Sequence, residues 1–301
     1  MLSISTSWNS GPETDWSQWL TQVKDLGLDT IELSYTLNHH QLATIEPLLG
    51  SMKIKVSSIH NFCPIPNDEP STHHVSNYYR LSSLDDHERR QAVKWTKICI
   101  DTAVRVGAQV VVIHAGTVEL MDDPANHLLK LYKEGKKDSS EFQESRKRLL
   151  DLRRQKRDPY LKVLEESLGE VTRYAQERNV KIGLETRYYP TEIPNCEEVE
   201  YFLNRFTSFG MYYWHDVGHA QINERLGIAP HLEFLQRYKS RMIGVHLHGM
   251  HETRDHLAPF DGDLDLNPLL PFFPKDMIRV IESRYASVEQ IKAAVDILNS
   301  L

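Results

Sequence analysis

Eight short runs of apolar and β-branched residues recur along the chain, and each is long enough for one strand but too short for an independent helix. They are LSIST (2–6), TIELSY (30–35), IKVSSIH (54–60), VVVIHAG (110–116), KIGLETR (181–187), MYYWHDV (211–217), MIGVHLHG (242–249) and MIRVIESR (277–284). Longer amphipathic stretches with helical periodicity separate them. Strands that alternate with helices pair in parallel, because a parallel neighbour has to be reached by a long crossover. No GxGxxG follows the first run, and two four-strand halves are not visible. The order therefore favours a (β/α)8 TIM barrel over a doubly wound sheet. With 301 residues, 40% of them hydrophobic, the chain can bury one large core, and a single domain over residues 1–301 is expected.

Several helix ends are legible. Asp85 and Asp86 open a helix running to about Val106, and Asn195 with Glu198 and Ser287 with Gln290 resemble capping boxes. Gly27, Gly50 and Gly107 fall where helices should stop. One interval is too long for a simple crossover. Residues 117–180, between the fourth and fifth strands, are dense in charge of both signs. The spacing predicts a solvated helical excursion over about 117–178, with a lid or subunit-contact arm over the barrel mouth as the functional alternative.

The formal charge of −7 argues against a nucleic-acid partner, since phosphate contacts favour basic surfaces. The N-terminal MLSISTSWNS has neither a basic n-region nor an apolar h-region, and no run of apolar residues is long enough to span a bilayer. Cys63, Cys99 and Cys196 are odd in number and widely separated, which disfavours a disulfide framework or zinc knuckle. A cytoplasmic protein is expected, without a membrane partner, and with a homo-oligomer allowed for.

Barrels of this kind carry their chemistry at the C-terminal ends of the strands. Those ends are rich in metal-ligand types: His60 on the third strand, His114 on the fourth, Glu185 on the fifth, Asp216 with His219 on the sixth, His246 and His248 on the seventh, and Glu282 on the eighth. Burying so many carboxylates and imidazoles around one axis is costly without a cation, and a divalent metal removes both the desolvation and the repulsion. By strand alternation His246 and His248 share a face, whereas His215 points away from Asp216 and is structural. His219 lies past the strand and returns over the mouth from a loop. Glu32 ends the second strand, as a substrate contact or a rim salt bridge. Arg187, on the same face as Glu185, is a candidate for holding a substrate phosphate or hydroxyl, or for a structural ion pair. The following loop, HETRDHLAPFDGDLDL (251–266), contains His256 and Gly262 and reads as an ordered turn at the mouth.

The motifs IHNFCP, VVIHAG, GLETR, WHDVGHAQ, GVHLHG with DHLAPFDGDLD, and VIES together resemble the sugar phosphate isomerase/epimerase superfamily, the xylose isomerase-like TIM barrels that also include endonuclease IV. The resemblance spans nearly the whole chain. It implies a divalent metal held by Glu185, Asp216, His248 and Glu282, with His246 as the competing choice on the seventh strand. It also implies that His219 touches substrate or a second metal. The nuclease branch carries a three-zinc set whose further histidines match His60, His114 and His256. That branch places an Asp two residues before the last of these, where this chain has Arg254, and Asp255 is out of step by one.

The expected function is a metal-dependent isomerase or epimerase of a small sugar or sugar-phosphate-like molecule, working through an enediolate with Glu185 and Glu282 as the two proton-transfer groups. The metal would be Mn²⁺, Zn²⁺, Mg²⁺ or Co²⁺, with no organic cofactor. Substrate contacts are expected from His219, Arg187, His114, His256 and Glu32. The alternatives are an endonuclease IV-like multi-zinc phosphodiesterase, or a lyase or dehydratase on the same metal site.

Overall fold

All eight runs form strands, and the strands close into one parallel barrel in sequential order. The computed structural model describes residues 1–67, 77–122, 124–284 and 286–300. The barrel strands are β1 (Leu2–Ser5), β2 (Thr30–Leu33), β3 (Lys55–His60), β4 (Val110–Ile113), β5 (Lys181–Glu185), β6 (Met211–Asp216), β7 (Met242–Leu247) and β8 (Ile278–Ile281). β1 closes the ring by pairing with both β2 and β8, as in Ile4 opposite Ile31 and Ile281. Most strands are shorter than their apolar runs, so residues such as His114 lie just beyond them.

The helices of the outer layer are α1 (Trp16–Asp25), α2 (His39–Met52), α3 (Asp86–Val106), α4 (Pro124–Lys133), α5 (Ser140–Gln176), α6 (Cys196–Phe206), α7 (Val217–Arg225), α8 (His231–Tyr238) and α9 (Val288–Ser300). The Asp85 cap, the Asn195–Glu198 box and the Ser287–Gln290 pair form as the residues predict. Gly107 ends α3 in the left-handed conformation. Gly50 does not end α2: the helix continues to Met52, and Lys53 takes the left-handed position instead. A glycine inside a helix costs less than about 1 kcal/mol, so packing on Ile45 and Leu49 carries α2 through it.

The 117–180 interval is helical, built from α4 and the 37-residue α5. Its buried face sits on α3 and β5, and Arg153 is tied into the protein by two 2.7 Å bonds to Glu198. None of its described residues lines the cavity at the barrel mouth. Among the described residues no helix is long and apolar enough to cross a membrane.

The barrel interior prepares the site. Val110, Val112, Trp214, Ile278 and Val280 form a separate buried cluster inside the ring. Gly183 and Gly244 leave the room that the Trp214 indole fills: a Cβ on Gly244 would lie 2.2 Å from the ring, and one on Gly183 3.1 Å. With a two-residue repeat along each strand, the next inward positions are His114 after Val112, Glu185 after Gly183, Asp216 after Trp214, His246 after Gly244 and Glu282 after Val280. A dry apolar plug thus carries a layer of polar groups.

Candidate metal centre

The polar layer converges on His246. Its Nδ1 lies 2.7 Å from Glu185 Oε1, 3.1 Å from Glu282 Oε2 and 3.7 Å from Asp216 Oδ2, and its Nε2 lies 3.2 Å from both oxygens of Glu32. Glu32 also accepts a 2.8 Å bond from Ser58 Oγ. Glu185 has a second set of partners on Oε2: His114 Nε2 at 2.6 Å, Arg187 Nη1 at 2.9 Å and His60 Nε2 at 3.6 Å. The carboxylates, His246, His60 and Arg187 are all buried.

Asp216 anchors the other half. It caps α7, with Oδ1 accepting from the His219 backbone N–H at 2.8 Å, and faces His248 Nε2 at 3.1 and 3.2 Å. His219 is therefore in the first turn of a helix rather than in a loop, and the cap that starts the helix is also what aims it. Its ring Nδ1 lies 2.8 Å from the Thr186 carbonyl and its Nε2 3.7 Å from Asp255.

The two seventh-strand histidines have different environments. The His256 backbone N–H donates to His248 Nδ1 at 3.1 Å. A neutral imidazole that accepts on one nitrogen carries its proton on the other, so His248 Nε2 donates to Asp216. His246 instead has carboxylate oxygens around both nitrogens. The four residues whose ligand atoms come together are Glu185, Asp216, His246 and Glu282, and two further groups overlap them: His60, Glu185 and His246, and Asp216, His219 and His256.

Asp255 also arrives, although its sequence offset is wrong by one. Its carboxylate lies 2.9 Å from His256 Nδ1. Adjacent residues on a regular strand face opposite ways, but His256 has φ +58°, and this left-handed turn puts both side chains on the cavity. Gly262, at φ +90°, closes the same loop against Met250.

Charge explains the shifted protonation equilibria. Burial would drive His246 toward the neutral form, but Glu282, Glu32 and Glu185 outweigh it and hold its pKa well above the usual imidazole value. Burial likewise opposes protonation of His256, which Asp255 nonetheless raises to about 10. His114 goes the other way, down to about 4, through burial and the nearby Arg187. Glu185 and Asp216 stay ionised against their burial because of the surrounding imidazoles.

Among the described residues, Glu32, Glu185, Glu192, Asp216, Asp255 and Glu282 face Arg187, Arg284 and whichever imidazoles are protonated. Negative charge is in excess in a buried site, and mixed carboxylate and imidazole donors suit a divalent cation of the Mn²⁺ or Zn²⁺ type. The residues present fit a metal.

The cavity above them has a volume of about 380 Å³ and includes His60, His114, Glu185, Arg187, His219, His256 and Glu282 in its walls. Tyr35, Tyr188, Glu192 and Arg284 also line it, and sequence reasoning did not single them out. Tyr35 packs edge-on against His60, with ring centroids 4.8 Å apart. Tyr35 stands one position out of the inward alternation of its run, Arg284 continues the inward positions of Val280 and Glu282, and Glu192 comes from a two-residue strand, Glu192–Ile193, paired with Gly116–Thr117. Glu192 holds Arg187 at 2.7 Å, so that guanidinium is ion-paired on two sides.

The family model of the xylose isomerase-like TIM barrel matches residues 20–301. The chain belongs to this family. Its fold is similar to that of 3-keto-D-glucoside 4-epimerase from E. coli, with a TM-score of 0.70 and 14% identity, covering 100% of this chain and 99% of that one. It is similar to D-psicose 3-epimerase from Clostridium cellulolyticum H10, with a TM-score of 0.66 and 13% identity over 99% and 98% of the two chains. A Thermus thermophilus protein from crystals soaked with zinc chloride gives a TM-score of 0.58 and 21% identity over 99% and 96%. At these identities the likeness is one of fold. No curated protein matches the sequence.

Proposed function

We propose that this member of the family is a divalent-metal-dependent isomerase or epimerase of a small sugar-like substrate. The observation that carries it is the pair Glu185 and Glu282, two buried carboxylates on the non-adjacent strand ends β5 and β8, both within about 3 Å of one imidazole nitrogen at the floor of a small polar cavity. The epimerase names of two fold neighbours support it.

Glu185, Asp216, His246 and Glu282 would hold the metal, with His248 donating to Asp216 and fixing its orientation, as partners of metal ligands commonly do. Bound there, a divalent cation supplies Lewis acidity that stabilises negative charge developing on the substrate carbonyl oxygen. Glu185 and Glu282 reach the substrate from two sides. One takes the proton from the carbon beside the carbonyl, and the other returns a proton, to the neighbouring carbon for isomerisation or to the opposite face for epimerisation. His219 and His256 line the wall; with its Nδ1–H donated to the Thr186 carbonyl, His219 accepts from a substrate hydroxyl on Nε2, and His256 donates to one. Arg187, held by Glu192, donates to Glu185 and keeps it in place. The same proton abstraction also starts β-elimination, so a dehydratase would share this site.

Glu185→Gln and Glu282→Gln should each abolish exchange of the hydrogen beside the carbonyl in deuterated water, followed by NMR over a panel of ketoses and aldoses. Full turnover by both variants would exclude the two-carboxylate scheme.

Multi-zinc hydrolysis has one observation in its favour, the three overlapping donor groups that share Glu185, Asp216 and His246. Metal content separates the two proposals. About one ion per chain supports isomerisation, and two or three zincs with cleavage of abasic-site DNA supports the hydrolase.

A further inference from the structure

A second cavity, also of about 380 Å³, adjoins the first and shares two wall residues with it, Tyr35 and Arg284. Arg284 donates to the Tyr35 hydroxyl, so the pair forms a waist between two lobes. The second lobe is built by the loops after β1, β2 and β3, and its walls include Ser7, Ser10, Pro12, Thr36, Asn38 and Ile65. None of these has a role in the proton-transfer chemistry above.

The hydroxyl protons of this lobe are already spent inside the protein. Ser7 Oγ donates to Ser5 Oγ at 3.1 Å, Thr36 Oγ1 to Ser34 Oγ at 3.1 Å and Ser10 Oγ to the Thr6 carbonyl. What these hydroxyls retain are lone pairs, so the lobe mainly accepts hydrogen bonds. A phosphate, which only accepts, finds few donors here beyond Arg284 at the waist and the amides of Asn38 and Gln41, the latter already giving one N–H to the Gly11 carbonyl. A sugar ring brings several O–H donors, and its C–H faces match the apolar surfaces of Pro12 and Ile65. The volume also suits a whole ring rather than one small anion.

We propose that the second lobe binds a second sugar unit, so that the substrate is a disaccharide or other glycoside. Its reacting unit, the one that presents the carbonyl, occupies the metal-bearing lobe, and its linkage crosses the waist, where Arg284 donates to the bridging oxygen. This inference rests on the carbohydrate function proposed above and extends it.

The test is calorimetric titration of the metal-loaded protein with D-glucose, D-fructose and D-xylose, then with maltose, cellobiose and lactose, and with fructose 6-phosphate. Two or three added hydrogen bonds predict that at least one disaccharide binds about tenfold or more tightly than any monosaccharide. Gly11→Trp and Thr36→Trp place a ring in the second lobe. Gly11 has nothing within 4 Å of its Cβ position, and Thr36 is exposed, so both should fold, which circular dichroism checks. Loss of the disaccharide preference in either folded variant supports the inference. Monosaccharide or sugar-phosphate binding as tight as that of every disaccharide overturns it alone, as does a preference that survives both substitutions. Binding of no carbohydrate of either size overturns the carbohydrate function as well.

Discussion

Asp216 holds two positions at once, and two substitutions separate them. Its Oδ1 caps α7 through the His219 N–H, while its other oxygen turns toward His246. Asparagine caps as well as aspartate but is a far weaker metal ligand, whereas alanine does neither. Metal-free Asp216→Asn should therefore be less stable than the wild type, because the attraction to His219 and His248 that it loses outweighs the repulsion with Glu185 that it relieves. Metal-free Asp216→Ala should be less stable than Asp216→Asn by about 1 kcal/mol, the usual worth of an N-cap. Adding Mn²⁺ or Zn²⁺ at a hundredfold excess over its dissociation constant should stabilise the wild type by about 2.7 kcal/mol. For a chain of this size that is a rise in Tm of roughly 4 °C. Neither variant should show it. The assay is thermal unfolding after chelation, with and without added metal, and urea unfolding for the free energies. A metal-dependent rise of wild-type size in Asp216→Asn would refute Asp216 as a ligand, and equal metal-free stability of the two variants would refute the cap.

Gly244→Ala should destabilise the barrel by about 1–3 kcal/mol through overpacking, since its Cβ would lie 2.2 Å from the buried Trp214 ring. Gly50→Ala is the contrasting case: it sits inside α2 with nothing within 4 Å of its Cβ position, and should raise stability by about 0.5–1 kcal/mol in urea titrations. Acid should weaken the fold through His231, whose pKa burial lowers from 6.5 to about 4 while its Nε2 meets His215 Nε2 at 3.0 Å. The folded state keeps this imidazole neutral and the unfolded state protonates it first. Its contribution is therefore complete above pH 6.5 and is lost as pH falls toward 4, by roughly 3 kcal/mol. His231→Gln should flatten that part of the stability profile, and an unchanged acid slope would count against the assignment.

Much of the centre was visible as residue types at strand ends. His60, His114, Glu185, Asp216, His246 and Glu282 were readable because barrel closure sends every second side chain inward, and the runs could be counted. The alternation also separated His215, which bonds outward to Tyr213 and His231, from its neighbour Asp216. It failed where the backbone leaves the strand. His219 starts a helix, and Asp255 reaches the site only through the left-handed turn at His256. Glu192 sits in a two-residue strand whose partner, Gly116–Thr117, is distant in sequence. Apart from the Asp216 cap three residues before His219, the strand repeat gives no signal for these positions.

By itself the sequence determined the barrel, since eight apolar runs joined by helices can bury themselves in few other ways, and it determined that acids and imidazoles would meet at one end. Only the tertiary structure decided how they divide. His246 and His248 stand two residues apart with the same periodicity and the same chemistry. The surroundings separate them: carboxylates enclose both nitrogens of His246, while the His256 backbone N–H occupies one nitrogen of His248 and turns the other toward Asp216. A strand pattern specifies a face, but the partner of each ring nitrogen is set by neighbouring strands and loops.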